Sequence, residues 1–362
     1  MKQTSRIIST YSADTFGVCS ALFELGGMVV MHDASGCNST YTTHDEPRWF
    51  DMDSMVYISA LTEMEAIMGD DEKLISDIVS AAEELKPKFI AIVGTPIPTM
   101  VGFDFQAVAN LIEDRTGIPT FGFSTTGMNT YVHGVSMALE TLARYFVADT
   151  EEKTENPSMN ILGLTPLDFS VNGQAESIVR WAENQGYEVL STWAMGSTLE
   201  DIARAGMAHR NLVVSAGGLK AAKLLEKRFG TPYIVGVPMD GKLEVSELAG
   251  EEIAIVGEGV YALSLAWALE RVCGRGVRVI CTTECDAKLL RAKDVMLRDE
   301  AEIEEALRSA KTIIADPLYR PICPRAAQFV SLPAEAFSGR IYRAQIPNLV
   351  ADFESFAKEL ME

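Results

Sequence analysis

Phe89-Ile90-Ala91-Ile92-Val93-Gly94 is a continuous apolar run that ends on a turn residue. The stretch before it, 70–85, places Leu74, Ile75, Ile78, Val79, Ala82 and Leu85 at helical spacing, and Pro87 stops the pattern. A strand without polar alternation is buried on both faces, which is the habit of parallel sheets covered by helices. The pair therefore predicts a βαβ-type fold. A helix over 105–115 and a strand over 119–123 continue it.

The same alternation runs outward from there. A polar segment containing proline, 149–157, reads as a linker. After it come strands over 159–164, 187–190, 212–215 and 233–237, with helices over 175–185 and 219–229. A second polar break lies near 240–252. Strands over 253–256, 277–281 and 312–315 then alternate with helices over 261–271 and 301–308. The expected fold class is α/β, with three Rossmann-like parallel-sheet domains around a central cleft. The boundaries fall at 1–155, 156–250 and 251–362. Ligands of such sheets bind at the carboxyl ends of the strands, and three domains can direct those ends into one cleft.

The chain has 362 residues, of which 48% are apolar and 23% charged, enough to bury a core in each domain. Lys and Arg number 31 against 51 Asp and Glu, a formal charge of −20. Such a surface repels phosphate backbones and anionic lipid, so neither nucleic acid nor a membrane is an expected partner. The opening Met1-Lys2-Gln3-Thr4-Ser5-Arg6 leads into no apolar run, so no signal peptide is expected and a cytoplasmic location follows. There is no P-loop motif, no complete G-x-G-x-x-G, no C-x-x-C, no H-E-x-x-H and no G-x-S-x-G. Gly257-Glu258-Gly259 is a fragment of the dinucleotide motif only, and the four histidines are scattered.

In a reducing compartment the six cysteines need a reason other than disulfides. Cys19 and Cys37 lie in the first domain, and both can reach the carboxyl edge of one sheet. Thiolates there suit soft metals and iron–sulfur clusters. The alternative is a pair of buried free cysteines acting as small hydrophobes. Two ligands are too few for a cluster held by four thiolates, but a twofold dimer supplies two from each copy. Cys281, Cys285 and Cys323 form a second group after strand ends of the third domain. They line the cleft, hold a second metal, or have no joint role. Cys273 ends an apolar helix and reads as packing.

His32-Asp33-Ala34-Ser35-Gly36-Cys37 resembles the H-G-P-x-G-C cluster-ligand motif of the nitrogenase component 1 superfamily, with Asp33 and Ala34 in place of Gly and Pro. Gly17-Val18-Cys19 stands where that family's first cluster cysteine falls. The block from Glu63 to Leu74 resembles its acidic stretch leading to F-G-G-x-x-K-L, and Val93-Gly94-Thr95-Pro96 with Val101-Gly102-Phe103-Asp104 resembles its C-P-x-x-x-G-D-D strand. Thr95 occupies the place of the third cysteine.

The resemblance implies a catalytic component that takes single electrons from a separate ATP-hydrolysing iron–sulfur reductase and reduces a small-molecule substrate. The lack of a third cysteine argues against the eight-iron cluster of true nitrogenase. It leaves a single [4Fe-4S] cluster bridging a homodimer through Cys19 and Cys37 of both copies. Asp33 or Asp14 is the candidate substitute ligand, because a tetrapyrrole-reducing relative uses an aspartate. Ser215 falls where nitrogenase has the cysteine that carries its active-site metal cluster, which argues against nitrogen fixation. The implied substrate is nearer in kind to a tetrapyrrole, although no residue singles one out.

His133 and Asp316 are candidate proton donors by position. Arg320, Arg325 and Lys220 are candidates for pairing substrate carboxylates or are solvated surface charges. Phe121-Gly122-Phe123-Ser124-Thr125-Thr126-Gly127 offers backbone N–H groups to an anion or is a plain turn. Two other functions fit the same sequence: a scaffold for assembling a metal cluster, and a cluster-free small-molecule-binding protein.

Overall fold

The computed structural model describes residues 5–361 except 35 and 37. Its strands form three separate parallel sheets. The first has the order β2-β1-β3-β4, built from β1 (Met28–Met31), β2 (Met55–Ile58), β3 (Ile90–Val93) and β4 (Thr120–Phe123). The second, β6-β5-β7-β8, uses β5 (Ser158–Leu162), β6 (Glu188–Trp193), β7 (Arg210–Val213) and β8 (Tyr233–Val235). The third, β11-β10-β9-β12-β13, uses β9 (Ile253–Gly257), β10 (Val277–Cys281), β11 (Val295–Met296), β12 (Thr312–Ala315) and β13 (Gln328–Ser331).

The twofold period of a strand sorts its side chains between two cores. Met28, Val30, Ile90 and Ile92 face an outer core with Leu74, Ile75 and Ile78 of helix Glu72–Leu85. Val29, Met31, Ala91 and Val93 face the opposite way, into a central core. Leu162 and Val213 of the second sheet enter that same core, as do Ala254, Val256, Ile313 and Ala315 of the third. Each sheet thus turns one face to a shared interior, and this orients the three sets of strand ends relative to one another.

Two helices absent from the sequence reading hold the centre together, Asp14–Leu22 and Tyr131–Tyr145. They touch backbone to backbone. A Cβ on Gly17 would fall 2.0 Å from Tyr131 O, and one on Gly134 would fall 1.9 Å from Asp14 O. Any side chain at either position would push the helices apart. The strands β2, β11 and β13 also escaped the sequence reading. They are edge strands, short or half-exposed, and lack the apolar run that marks β3. Helix Phe353–Met361 buries Phe353, Ala357 and Leu360 against the outer faces of the second and third sheets.

The segment before the first helix does not stay with the first sheet. Thr10 and Tyr11 donate backbone hydrogen bonds to Phe337 and Ala336, and Arg6 Nε pairs with Glu300 at 2.8 Å. Among the described residues no helix is long and apolar enough to cross a membrane.

Candidate functional site

The carboxyl ends of the three sheets meet at one buried point, and each supplies a titratable residue to it. From the first sheet, the chain leaves β4 and starts helix Tyr131–Tyr145 on Tyr131. From the second, it leaves β5 into the short helix Pro166–Phe169, which carries Asp168. From the third, β9 runs into Glu258, whose side chain caps helix Gly259–Cys273 by accepting the Tyr261 N–H at 2.8 Å. All three side chains are buried.

They are wired across the domain boundaries. The Tyr131 hydroxyl donates to Asp168 Oδ1, and Thr165 Oγ1 donates to Asp168 Oδ2 at 3.3 Å. The second oxygen of Glu258 accepts the Ala216 N–H of the second domain at 3.0 Å. Burial pushes the Asp168 carboxyl well above the ordinary carboxylate range, and the nearby Glu258 charge adds to the shift. Burial likewise raises Glu258, against the hydrogen bonds from Tyr261 and Ala216 that favour its charge. Two carboxyls sharing one dry pocket each favour the protonated form more than either would alone in water. The space between them is a cavity of about 40 Å³ lined by Tyr131, Asp168, Glu258, Tyr261 and Asp316. That volume suits water and excludes an organic substrate in this closed arrangement.

These carboxyls were not among the sequence candidates, although their local signals are present. Thr165-Pro166-Leu167-Asp168 spells a helix start, and Glu258 stands between an apolar strand and a long apolar helix. Of the proposed donors, Asp316 does line the cavity, but it spends both oxygens as a cap. It accepts the Leu318 and Ala334 N–H groups, each at 2.9 Å. Burial raises its carboxyl too. His133 sits half-buried in the first turn of the Tyr131 helix.

Cys19 is fully buried within helix Asp14–Leu22, in the central core near Tyr41 and Glu46. Burial pushes its thiol up, with the Glu46 charge adding to the shift. Cys37 lies outside the described residues. Asp33 accepts hydrogen bonds from Asn38 Nδ2 at 2.6 Å and Thr95 Oγ1 at 3.0 Å. Thr95 thus gives the aspartate a neutral partner at the position of the third cysteine. Asp14 accepts four hydrogen bonds, from the N–H groups of Thr15, Thr126 and Gly127 and from Asn129 Nδ2. The anion cradled by the loop after β4 is therefore the protein's own Asp14.

Among the described residues, no group of three or more His, Cys, Asp or Glu gathers as a metal site. Cys19 alone does not make a four-thiolate cluster site, so a cluster would draw on Cys37 and a second copy. The structure brings the Cys281 and Cys285 sulfurs to the same gap beside Gly259, with Cys281 donating to Thr283 O and Cys285 to Asp286 O. Cys323 is engaged elsewhere. Its thiol donates to Tyr319 O at 3.2 Å, and burial raises it to about 11. Ser215 donates to Gly163 O at 2.8 Å beyond the end of β7. Cys273 packs at its helix end, against the core on the outer faces of the second and third sheets. Arg320 lies over the Phe329 ring at 5.1 Å, and Arg325 and Lys220 are exposed.

The sequence reading did not anticipate the buried ion cluster between the first two domains. Arg48 pairs with Glu24 at 2.8 Å and Glu46 at 2.7 Å and also donates to Ala194 O and Ser20 O. It borders a cavity of about 650 Å³, which Met195, Thr192 and Arg180 also line.

The chain is 28% identical over 202 residues to the nitrogenase iron-molybdenum cofactor biosynthesis protein NifE of Clostridium pasteurianum, covering 53% of this chain and 43% of that one. It is 28% identical over 184 residues to a component of the light-independent protochlorophyllide reductase of Nostoc punctiforme, covering 47% and 35%. The chain thus spans less than half the length of these two relatives. A solved structure described as nitrogenase Cp1 at pH 5 shares the fold, with a TM-score of 0.69 at 17% identity over 99% of this chain and 90% of that one. The sequence profile of the nitrogenase component 1 type oxidoreductases matches residues 14–242, the span holding both Cys19 and the Tyr131–Asp168 pair, and the chain belongs to that family.

Proposed function

We propose that the chain is the electron-accepting component of a two-part reductase, acting as a homodimer in which Cys19 and Cys37 of each copy hold one bridging [4Fe-4S] cluster. A separate ATP-hydrolysing iron–sulfur reductase is the donor, and a small molecule is the acceptor. When bound, the cluster would supply single electrons.

The observation that carries this reading is the buried pair Asp168 and Glu258 beside the Tyr131 hydroxyl. A reduction fed by single electrons needs protons delivered out of reach of bulk water. Asp168 holds one in the dry pocket, and its hydrogen bond to Tyr131 fixes where it sits. The helix bearing Cys19 lies directly on the helix that begins at Tyr131. Two neighbouring helices of the first domain, Glu63–Met68 and Pro96–Val101, also expose Met64, Ile67, Met68, Ile97 and Met100, an apolar face suited to a second copy or to the donor.

Iron and acid-labile sulfide are measured per dimer, with electron paramagnetic resonance, on anaerobically purified protein. About four irons per dimer, a reducible signal and loss of both in Cys19→Ser and Cys37→Ser are expected. No iron after anaerobic reconstitution defeats the reading. A second reading, a cluster-assembly scaffold, draws on the cofactor-biosynthesis relative and on the small volume at the junction. It predicts that bound iron passes to an acceptor protein and that no substrate oxidises the reduced cluster.

A further inference from the structure

The loop after β10 is fastened to all three domains. Cys281 closes the strand, and Thr282 donates its N–H to Gly257 O at 3.1 Å, within the third domain. The Glu284 carboxylate accepts the Thr130 N–H at 3.2 Å and the Thr130 hydroxyl, which reaches the first domain just ahead of Tyr131. Asp286 accepts Lys223 Nζ at 2.8 Å from helix Leu219–Phe229 of the second domain.

Two sulfurs bracket this loop. A Cβ added to Gly259 would lie 2.5 Å from Cys285 Sγ and 3.2 Å from Cys281 Sγ, so both sulfurs crowd into the space that glycine leaves open. The Cys281 thiol donates to Thr283 O at 3.3 Å and the Cys285 thiol to Asp286 O at 3.8 Å, so neither sulfur is locked to a side chain outside the loop. Cys281 is buried and Cys285 half-buried. A cavity of about 230 Å³, lined by Thr282, Thr283, Thr130 and Arg298, opens beside the intervening residues of the loop. A role in packing alone does not require two sulfurs to share one gap in a loop anchored to three domains.

We propose that Cys281 and Cys285 are a redox-active dithiol that a hydroperoxide converts to an intrachain disulfide, within the loop that ties the three domains together. The more exposed Cys285 meets the oxidant. Its sulfur bonds to one peroxide oxygen as the O–O bond breaks, and the other oxygen leaves with the thiol proton as water or alcohol. Cys285 is now a sulfenic acid. Cys281, whose sulfur shares the gap beside Gly259 with that of Cys285, is the resolving nucleophile. Its sulfur attacks that of Cys285, the S–S bond forms, the S–O bond breaks, and the oxygen leaves as water. Two thiols are oxidised and one peroxide is reduced. Closure draws Cys285 toward β10 and pulls on Glu284 and Asp286, which loosens the anchors in the first and second domains. The inference stands independently of the proposed reductase activity.

The test uses the wild-type chain. Reduced protein is treated with stoichiometric hydrogen peroxide, alkylated and digested with trypsin. Both cysteines fall in the single peptide 279–288, flanked by cleavage sites at Arg278 and Lys288. The expected peptide is unalkylated and lighter by two hydrogen atoms, while the other four of the six cysteines remain alkylatable. A peptide carrying two alkyl groups, or a sulfinic acid on Cys285 beside an alkylated Cys281, overturns the proposal. Hydrogen exchange in 130–136 and 219–229 should quicken several-fold in the oxidised form. Unchanged exchange overturns the mechanical link.

Discussion

Tyr131 of the first domain donates its hydroxyl hydrogen to Asp168 of the second, deep in the interior. One bond thus joins two domains, and as a donor to the carboxyl it works against the burial that raises Asp168. Burial pushes the Asp168 carboxyl well above the ordinary carboxylate range. A carboxyl whose folded value is raised stabilises the fold fully below its unfolded value, and that contribution is lost as pH rises through the folded value. Stability should therefore fall from about pH 4 upward on account of this group. Asp168→Asn keeps the shape without the proton and should flatten that decline in urea melts run across pH. A decline as steep as in the wild type would refute the assignment. Tyr131→Phe should cost about 1–2 kcal/mol and a few degrees of melting temperature.

His32 should remain neutral at pH 6. Its ring packs on Phe103 at 4.4 Å, Nδ1 meets Ser59 Oγ at 2.9 Å, and burial lowers its value to about 4. The stability it contributes is present above the ordinary imidazole value near 6.5 and is lost as pH falls toward 4. Imidazole proton resonances followed from pH 8 to 4 give the midpoint, and a midpoint near 6.5 would show the ring to be solvated.

Asp14 secures the loop 126–129 with bonds to Gly127 N at 2.7 Å and Thr126 N at 3.1 Å. Asp14→Ala leaves these donors without their carboxylate and should cost about 2–4 kcal/mol, with Asp14→Asn costing less. Equal midpoints for the two variants in urea would contradict this account.

Arg48 is the positive centre of a buried cluster with Glu24 and Glu46. Removing it strands the Glu46 carboxylate inside the protein. Arg48→Met should lose about 3–5 kcal/mol, more than an exposed pair such as Arg115–Glu72 could account for. Chemical denaturation measures it, and a midpoint unchanged from the wild type would reject the cluster as a stabilising contact.

The fold was legible wherever a strand is buried on both faces. Phe89 to Val93 and Ile253 to Val256 announce themselves as apolar runs, and the helices between them carry a plain stripe. The edge strands β2 and β13 do not, because half their residues meet solvent. The helix Asp14–Leu22 is buried all round, so it shows no stripe to read. The cysteines of the third domain were visible, and so was their position after strand ends. What sequence could not convey was which of them meet. Cys281 and Cys285 come together through the turn over Gly259, and Cys323 is drawn off to Tyr319. Asp168 and Glu258 passed unnoticed because each resembles an ordinary helix cap. Their chemistry arises from burial against residues of another domain, which spacing along the chain does not encode.

The pairing of Thr10 and Tyr11 with Phe337 and Ala336 has a consequence for how the molecule is made. On a ribosome, residues 5–11 emerge hundreds of positions ahead of the backbone they must join. The first sheet can form while they wait, but this strap can be fastened only after the third sheet exists. Such late closure of a very long loop is slow. A chaperone that shields the waiting segment, or a nascent chain stalled near residue 330, would therefore act on the last step of folding rather than the first.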